Sequence, residues 1–231
     1  MLISYSHRFI FLHVYKVAGS SIKAALRPYA QTWPRRSIPE RLWIRLWARR
    51  LEPWRHPSYG QHVKAKEVRR MVLPEEWEAF FKFAFVRNPW DWQVSQYFFM
   101  RECAIHHQSA LMESLGSFEK YLEWRVSEDR HLQKEFVTDE RGALIVDFVG
   151  RYETLQDDFA AVCHRIGVTA RLPHRNASRH RDYRAYYTAA MAELVAEAFR
   201  EDIEYFGYTF DGVRAGAWRW SGAEGVVRRA A

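Results

Sequence analysis

The chain is expected to fold as a single α/β domain: a central, mostly parallel sheet flanked by helices, with a P-loop-like anion-binding loop after the first strand. Three observations carry that expectation. The apolar run FIFLHVY at 9–15 breaks into Lys16, Ala18, Gly19, Ser20 and Ser21 and then becomes helical. The run FAFV at 83–86 breaks sharply at Arg87-Asn88-Pro89 and also becomes helical, and ALIVDFV at 143–149 is followed by a third helical segment. Continuous apolar runs with little alternation suit strands buried on both faces, and strands interleaved with helices form a parallel sheet with crossover helices.

The first strand is placed at 8–15 and the helix after it at 20–28. A basic, Trp/Arg-rich insertion occupies 31–60, then a short helix near 64–71 carries Lys64, Lys66, Arg69 and Arg70 on a solvated face. A helix at 74–81 leads to the strand at 82–86 and the helix at 89–102. Pro89 suits a first helical position, where its preset φ helps and its missing N–H costs nothing, and Asp91 in the first turn favours the helix dipole. Trp90, Val94, Tyr97 and Phe98 recur at helical spacing, so the two tryptophans Trp90 and Trp92 belong to the core rather than to a ligand. Ser117 is placed to cap a helix running to about Arg125. The strand at 143–149 is followed by Gly150-Arg151-Tyr152, a helix at 154–166 ended by Gly167, and a long amphipathic helix at 188–205. Its core face carries Met191, Leu194, Val195, Ala198 and Phe199.

Composition bounds the function. At 231 residues, 48% hydrophobic and 16% aromatic, the chain is large enough for one full core, and the domain is expected to span 1–231. No apolar run approaches the length that crosses a bilayer, and MLISYSHRF lacks a basic region followed by an apolar core, so no signal peptide is expected. Cys103 and Cys163 lie far apart, each in an expected helix. Buried free thiols fit better than a disulfide, which places the chain in a reducing cytoplasm.

The first anion-binding signal is the segment from Lys16 to Ser21. Small residues let the backbone bend tightly and turn several N–H groups toward one point. A helix starting near Ser20 adds its own unpaired N–H groups and the positive end of its dipole, and Lys16 supplies a mobile charge. The Walker spacing G-x-x-x-x-G-K-[ST] and the dinucleotide fingerprint G-x-G-x-x-G are both absent. The second signal is KFAFVRNPWDWQVSQYFF at 82–99, where Arg87 at a strand end and Ser95 in the following helix can converge on a second anion.

Together, KVAGSSI and FVRNPWDWQVSQY resemble the two phosphate-binding motifs of the sulfotransferase superfamily, in the branch that holds carbohydrate sulfotransferases and many bacterial relatives. The segments Gln61-His62, AFFKFAFVRNP, DFVGRYETLQDDF, LPHRNASRHRDYRAYY and EDIEYFGYTF extend the likeness over about residues 8–211. The resemblance implies 3′-phosphoadenosine-5′-phosphosulfate (PAPS) as donor and 3′-phosphoadenosine-5′-phosphate as product. It implies that Lys16, Val17, Ala18, Gly19, Ser20, Ser21 and Ile22 hold the 5′-phosphosulfate, and that Arg87 and Ser95 hold the 3′-phosphate. Lys16 would neutralise the bridging oxygen of the leaving nucleotide. The implied acceptor is a hydroxyl of a carbohydrate or glycolipid.

An attacking hydroxyl needs a base with a pKa near neutrality, and histidine is the usual choice. His62 matches the place where the family often carries its catalytic histidine. His13, three residues before Lys16, is the rival, though a lone histidine in a buried strand is more often a core residue. Arg151 and Tyr152 follow the third strand and could approach the nucleotide or acceptor. Arg175-Asn176-Ala177-Ser178-Arg179 reads as a solvated basic loop. No metal-ligand cluster stands out, adjacent His106 and His107 having poor geometry for two ligands, and sulfuryl transfer needs no metal.

The formal net charge of +7 is uneven. Residues 33–57 hold seven arginines (35, 36, 41, 45, 49, 50 and 55) against Glu40 and Glu52, together with Trp33, Trp43, Trp47 and Trp54. Arginine pairs with phosphate and indole stacks on bases, while Leu42, Trp43, Leu46 and Trp47 share one helical face. A helical cap packed on the core, an acceptor-side lid and a peripheral membrane contact through 33–57 therefore all stand; nucleic acid ranks below them. Beside the enzyme reading stands a non-catalytic module of the same fold that binds nucleotide, nucleic acid or a membrane surface. An ATP-dependent kinase is the third reading, weakened by the missing Walker spacing.

Overall fold

A computed structural model describes residues 1–30, 62–103, 106–173 and 180–214. The 31–60 insertion, Gln61 and the Arg175–Arg179 cluster lie outside the described residues. The sheet runs in the order β1 (Leu2–Ser4), β2 (Phe9–Leu12), β3 (Phe81–Val86), β4 (Phe148–Arg151). β1 is antiparallel to β2, with Ile3 opposite Ile10, while β2, β3 and β4 are parallel, with Phe11 opposite Phe83 and Phe83 opposite Phe148. β2 is buried along its whole length, as an apolar strand covered on both faces must be.

The helices among the described residues are α1 (Gly19–Leu26), α2 (Ala65–Met71), α3 (Pro74–Ala79), α4 (Pro89–Glu102), α5 (Ser109–Leu115), α6 (Phe118–Ser127), α7 (Leu155–Arg165), α8 (Ala189–Ala198) and α9 (Arg200–Phe206). Local chemistry sets their ends. Glu67 and Glu76 accept the N–H groups of Lys64 and Leu73 before α2 and α3, at 3.0 and 3.1 Å. Asn88 accepts the Trp90 N–H at the start of α4, and Ser117 accepts the Lys120 N–H at the start of α6. Gly167 closes the turn after α7 with φ +66°. Trp92, Phe199 and Phe206 are sealed in the core, and Trp92 meets Phe199 edge to face at 6.3 Å. A two-stranded pair, β5 (Tyr208–Thr209) and β6 (Gly212–Val213), follows α9.

Several expectations need correction. The anion loop follows the second strand, because Leu2–Ser4 forms an edge strand turned back through Arg8, whose φ is +48°. Three residues ending in a serine carry too little pattern to signal it. The strand expected at 8–15 shortens to Phe9–Leu12, since its ladder with β3 ends at Leu12 opposite Ala84. The strand expected at 143–149 is instead Phe148–Arg151, with Leu144 bridged separately to Thr138 and Asp147 tied to Lys82. Gly150 lies within that strand because Phe85 covers it: a Cβ there would stand 2.4 Å from the Phe85 ring. The long helix expected at 188–205 breaks at Phe199 (φ −109°, ψ +22°) into α8 and α9. After the break Asp202 accepts the N–H groups of Gln133 and Lys134 at 2.7 and 2.9 Å.

The expected helix at 20–28 likewise stops at Leu26, and Arg27–Tyr29 tightens into a 3-10 turn around Pro28, which has no N–H to continue the ladder. Cys103 lies just past α4, Cys163 within α7, and both are free thiols. Among the described residues, no helix is long and apolar enough to cross a membrane.

Candidate active site

At the carboxyl ends of β2 and β3 opens a cleft of about 1160 Å³, lined by Lys16, Ala18, Ser20, Ser21, His62, Arg87 and Ser95 among others. Ligands in open parallel sheets sit at this end of the strands. Two segments separated by about seventy residues are thus brought to one place, as their composition suggested.

The loop after β2 has a backbone shape suited to an anion. Lys16 and Ala18 take left-handed backbone conformations, with φ +61° and +52°. Alternating left- and right-handed residues turn successive N–H groups to the same side, forming a concave nest. The first loop-to-helix bonds run from Ser21 and Ile22 N–H to the Ala18 carbonyl, at 2.9 and 3.0 Å. Among the described residues, the N–H groups of Ala18, Gly19 and Ser20 meet no backbone acceptor. They are the orphan donors that a helix start presents to a negatively charged ligand.

Gly19 is required here for a reason the sequence did not show. A Cβ at Gly19 would stand 1.8 Å from Cδ2 and Nε2 of His13. The His13 imidazole therefore lies directly beneath the loop, 95% buried at a relative exposure of 5%. Burial, then the nearby His62, lowers its pKa to about 2, so the ring stays neutral.

Lys16 has its ammonium 4.1 Å from the centre of the Phe99 ring. Burial, then repulsion from Arg87, lowers its pKa to about 8. Arg87 is almost fully buried at 4% exposure. Its Nε and Nη2 donate to the two oxygens of Asp91 at 2.7 and 2.8 Å, and its Nη1 donates to the Lys16 carbonyl at 3.3 Å. The guanidinium also stacks 4.0 Å from the centre of the Tyr152 ring. Three of its donors are engaged, and an arginine has five, so donors remain for an anion. The Ser95 hydroxyl, one turn beyond Asp91, lines the same cleft and has no partner among the described residues.

His62 lies exposed at the rim, its ring 4.4 Å from that of His13. Its Nδ1 is 2.9 Å from the His13 carbonyl oxygen. Crowding by surrounding protein lowers its pKa, opposed by that hydrogen bond.

Not every expected residue reaches the cleft. Val17 and Ile22 face the core, at 1% and 0% exposure, and contribute only backbone. The Arg151 guanidinium is directed away from the cleft wall, donating to the Phe206 carbonyl at 2.6 Å and stacking 4.8 Å from Tyr208. Its neighbour Tyr152 is the residue of that pair that lines the cleft. Residues overlooked in the sequence support the site from behind. Gln133 binds both backbone groups of Arg87, and Glu153 accepts the Asn88 N–H at 2.6 Å and the Tyr208 hydroxyl at 2.9 Å. Only Asp91, four residues after Arg87 on a helix, carried a local signal for its role. Among the described residues, no group of three or more His, Cys, Asp or Glu side chains is arranged to hold a metal ion.

At the strand ends of this α/β sheet, a loop of free amides, a lysine and a clamped arginine bring several hydrogen-bond donors to one cleft. A model of the Sulfotransferase family matches residues 1–209; the chain belongs to that family, whose enzymes carry out sulfuryl transfer. A search of curated proteins found no match.

Proposed function

We propose that this sulfotransferase moves the sulfuryl group of PAPS to a hydroxyl of a carbohydrate or glycolipid. The observation that carries the reading is the direct link between the two anion-binding segments: Arg87 donates to the carbonyl of Lys16 across one cleft. A donor with a 5′-phosphosulfate and a 3′-phosphate needs two such sites at a fixed separation. In this reading, the amides from Val17 to Ser20, with the Ser20 and Ser21 hydroxyls, hold the phosphosulfate. Arg87 and Ser95 hold the 3′-phosphate.

The reaction is an in-line displacement. The acceptor oxygen attacks sulfur, the bond from sulfur to the bridging oxygen breaks, and 3′-phosphoadenosine-5′-phosphate leaves with the electron pair. Lys16 meets the charge that grows on that bridging oxygen, as preorganised donors do wherever charge develops in a transition state. The acceptor proton passes to His62. A carbonyl oxygen only accepts, so the His62 Nδ1 carries the proton toward His13 and Nε2 keeps its lone pair. His13 is a poor base, being neutral to about pH 2 and wedged against Gly19.

The 31–60 insertion, which leads directly into His62, is assigned to the acceptor side as a lid. The tryptophans and arginines of 33–57 would give peripheral contact with the inner face of a membrane, close to a lipid-linked glycan. The test is incubation with PAPS labelled in its sulfur and a panel of neutral, uronic and lipid-linked glycans. Label in a glycan, lost in Lys16→Ala, supports the reading. Donor binding without transfer to any hydroxyl acceptor would favour the non-catalytic module.

A further inference from the structure

We propose that Gln133 is a positioning residue for donor recognition, holding Arg87 in register for the 3′-phosphate; this rests on the assignment of Arg87 to that phosphate. The last paired position of β3 is Val86, opposite Arg151, so Arg87 stands one residue beyond the ladder. There the side chain of Gln133 takes the place of a neighbouring strand. Its Oε1 accepts the Arg87 N–H at 2.9 Å and its Nε2 donates to the Arg87 carbonyl at 2.8 Å. Both halves of the amide are spent on one residue, the one whose guanidinium faces the cleft.

Gln133 is itself fixed. It is fully buried, and its own N–H donates to Oδ2 of Asp202 at 2.7 Å, while the Lys134 N–H donates to Oδ1 at 2.9 Å. Asp202 is also fully buried and sits on α9, which begins where the chain breaks at Phe199. The route therefore runs from α9 through Asp202 and Gln133 to the backbone of Arg87. Asp91 restrains the far end of the arginine side chain and Gln133 restrains its root. An arginine held at both ends presents its remaining donors at a set angle, and recognition by a planar fork is sensitive to that angle. With the root released, the guanidinium stays near Asp91 but loses alignment with a phosphate.

Merely satisfying buried backbone groups would also explain the two hydrogen bonds, and a ratio of affinities separates the two roles. The full-length protein is titrated calorimetrically with 3′-phosphoadenosine-5′-phosphate and with adenosine 5′-phosphate, which lacks the 3′-phosphate. In Gln133→Met, of similar length and without the amide, the first ligand should weaken by about tenfold while the second keeps its affinity. Asp202→Asn keeps the shape and one acceptor, and should reduce the same ratio by about two- to threefold, which preserves the test if Gln133→Met folds poorly. An unchanged ratio, with both ligands weakened equally or neither weakened, overturns the positioning role. Absence of any discrimination in the wild-type protein overturns the 3′-phosphate assignment itself, and this proposal with it.

Discussion

The Nδ1 atom of His62 stands 2.9 Å from the carbonyl oxygen of His13, so one histidine fixes the tautomer of the other. The pair bears on the choice of base that the sequence left open between His62 and His13. His13 lies under the loop with its ring against Gly19, and among the described residues its buried Nδ1 has no hydrogen-bond partner. His62 sits at the rim with Nε2 as its remaining basic atom. A base must meet the acceptor, which favours the histidine at the rim.

Replacement of His62 by Ala is expected to lower turnover by about 10²–10⁴-fold, the usual contribution of a general base, with donor affinity nearly unchanged. The pH profile gives a second readout. A base works when neutral, and the His62 pKa lies below the 6.5 of a free histidine. Activity should therefore hold as pH falls through 6.5 and decline only in more acid solution, and that acid limb should vanish in His62→Gln. Steady-state kinetics between pH 4.5 and 8 checks both. Turnover that survives in the variant would return the role to His13 or to another group.

Lys16 gives the opposite limb. Its pKa of about 8 in the free protein, set first by burial and then by Arg87, means that the ammonium is lost as pH rises through that value. An anion binds the charged form, so above about pH 8 donor affinity should fall by up to tenfold per pH unit. Lys16→Arg remains charged and should flatten that fall. Calorimetric titrations at pH 7, 8 and 9 measure it; a wild-type affinity that stays constant would contradict the charge role.

Gly19→Ala places a methyl group where the His13 ring already stands. Overpacking of this kind costs about 1–3 kcal/mol, and here it would also push the amide nest out of shape. Thermal melting should show the loss, and donor affinity should drop with it. Adding His13→Ala should recover much of both, because the clash is with that ring. If the double variant is no better than the single one, His13 is not what makes the glycine necessary.

Arg87→Ala should weaken binding of 3′-phosphoadenosine-5′-phosphate by about 10²-fold or more, since it removes a charge-assisted fork. It also leaves Asp91 in the cleft wall without its cation. Asp91→Asn, which keeps one acceptor for the guanidinium, should be milder. A normal affinity in Arg87→Ala would remove the second anion site from the account.

Much of the frame was readable because it follows from local pattern. The apolar runs before Lys16 and Arg87 are strands, Pro89 opens a helix as expected, and Trp92 is core. Motifs at strand ends meet in one cleft because parallel strands all end on the same edge. The errors fall where tertiary contact overrides pattern. Gly150 was placed after the strand expected at 143–149 but lies inside β4 under the Phe85 ring, and Phe199 interrupts the amphipathic pattern read as one helix. Gln133, Glu153 and Asp202 were invisible because each acts through hydrogen bonds to residues more than forty positions away. Arg151 was placed correctly at a strand end, yet its side chain turns to Phe206 and Tyr208, and position along a strand does not decide which face a residue uses.

The central claim is that one cleft holds two separated anionic groups of a single nucleotide. Calorimetric titration of the protein with 3′-phosphoadenosine-5′-phosphate, beside ADP, tests it most directly. The account requires tight binding of the first and little response to ADP, whose phosphates leave Arg87 and Ser95 unused. Equal binding of the two, or binding of neither, would contradict it.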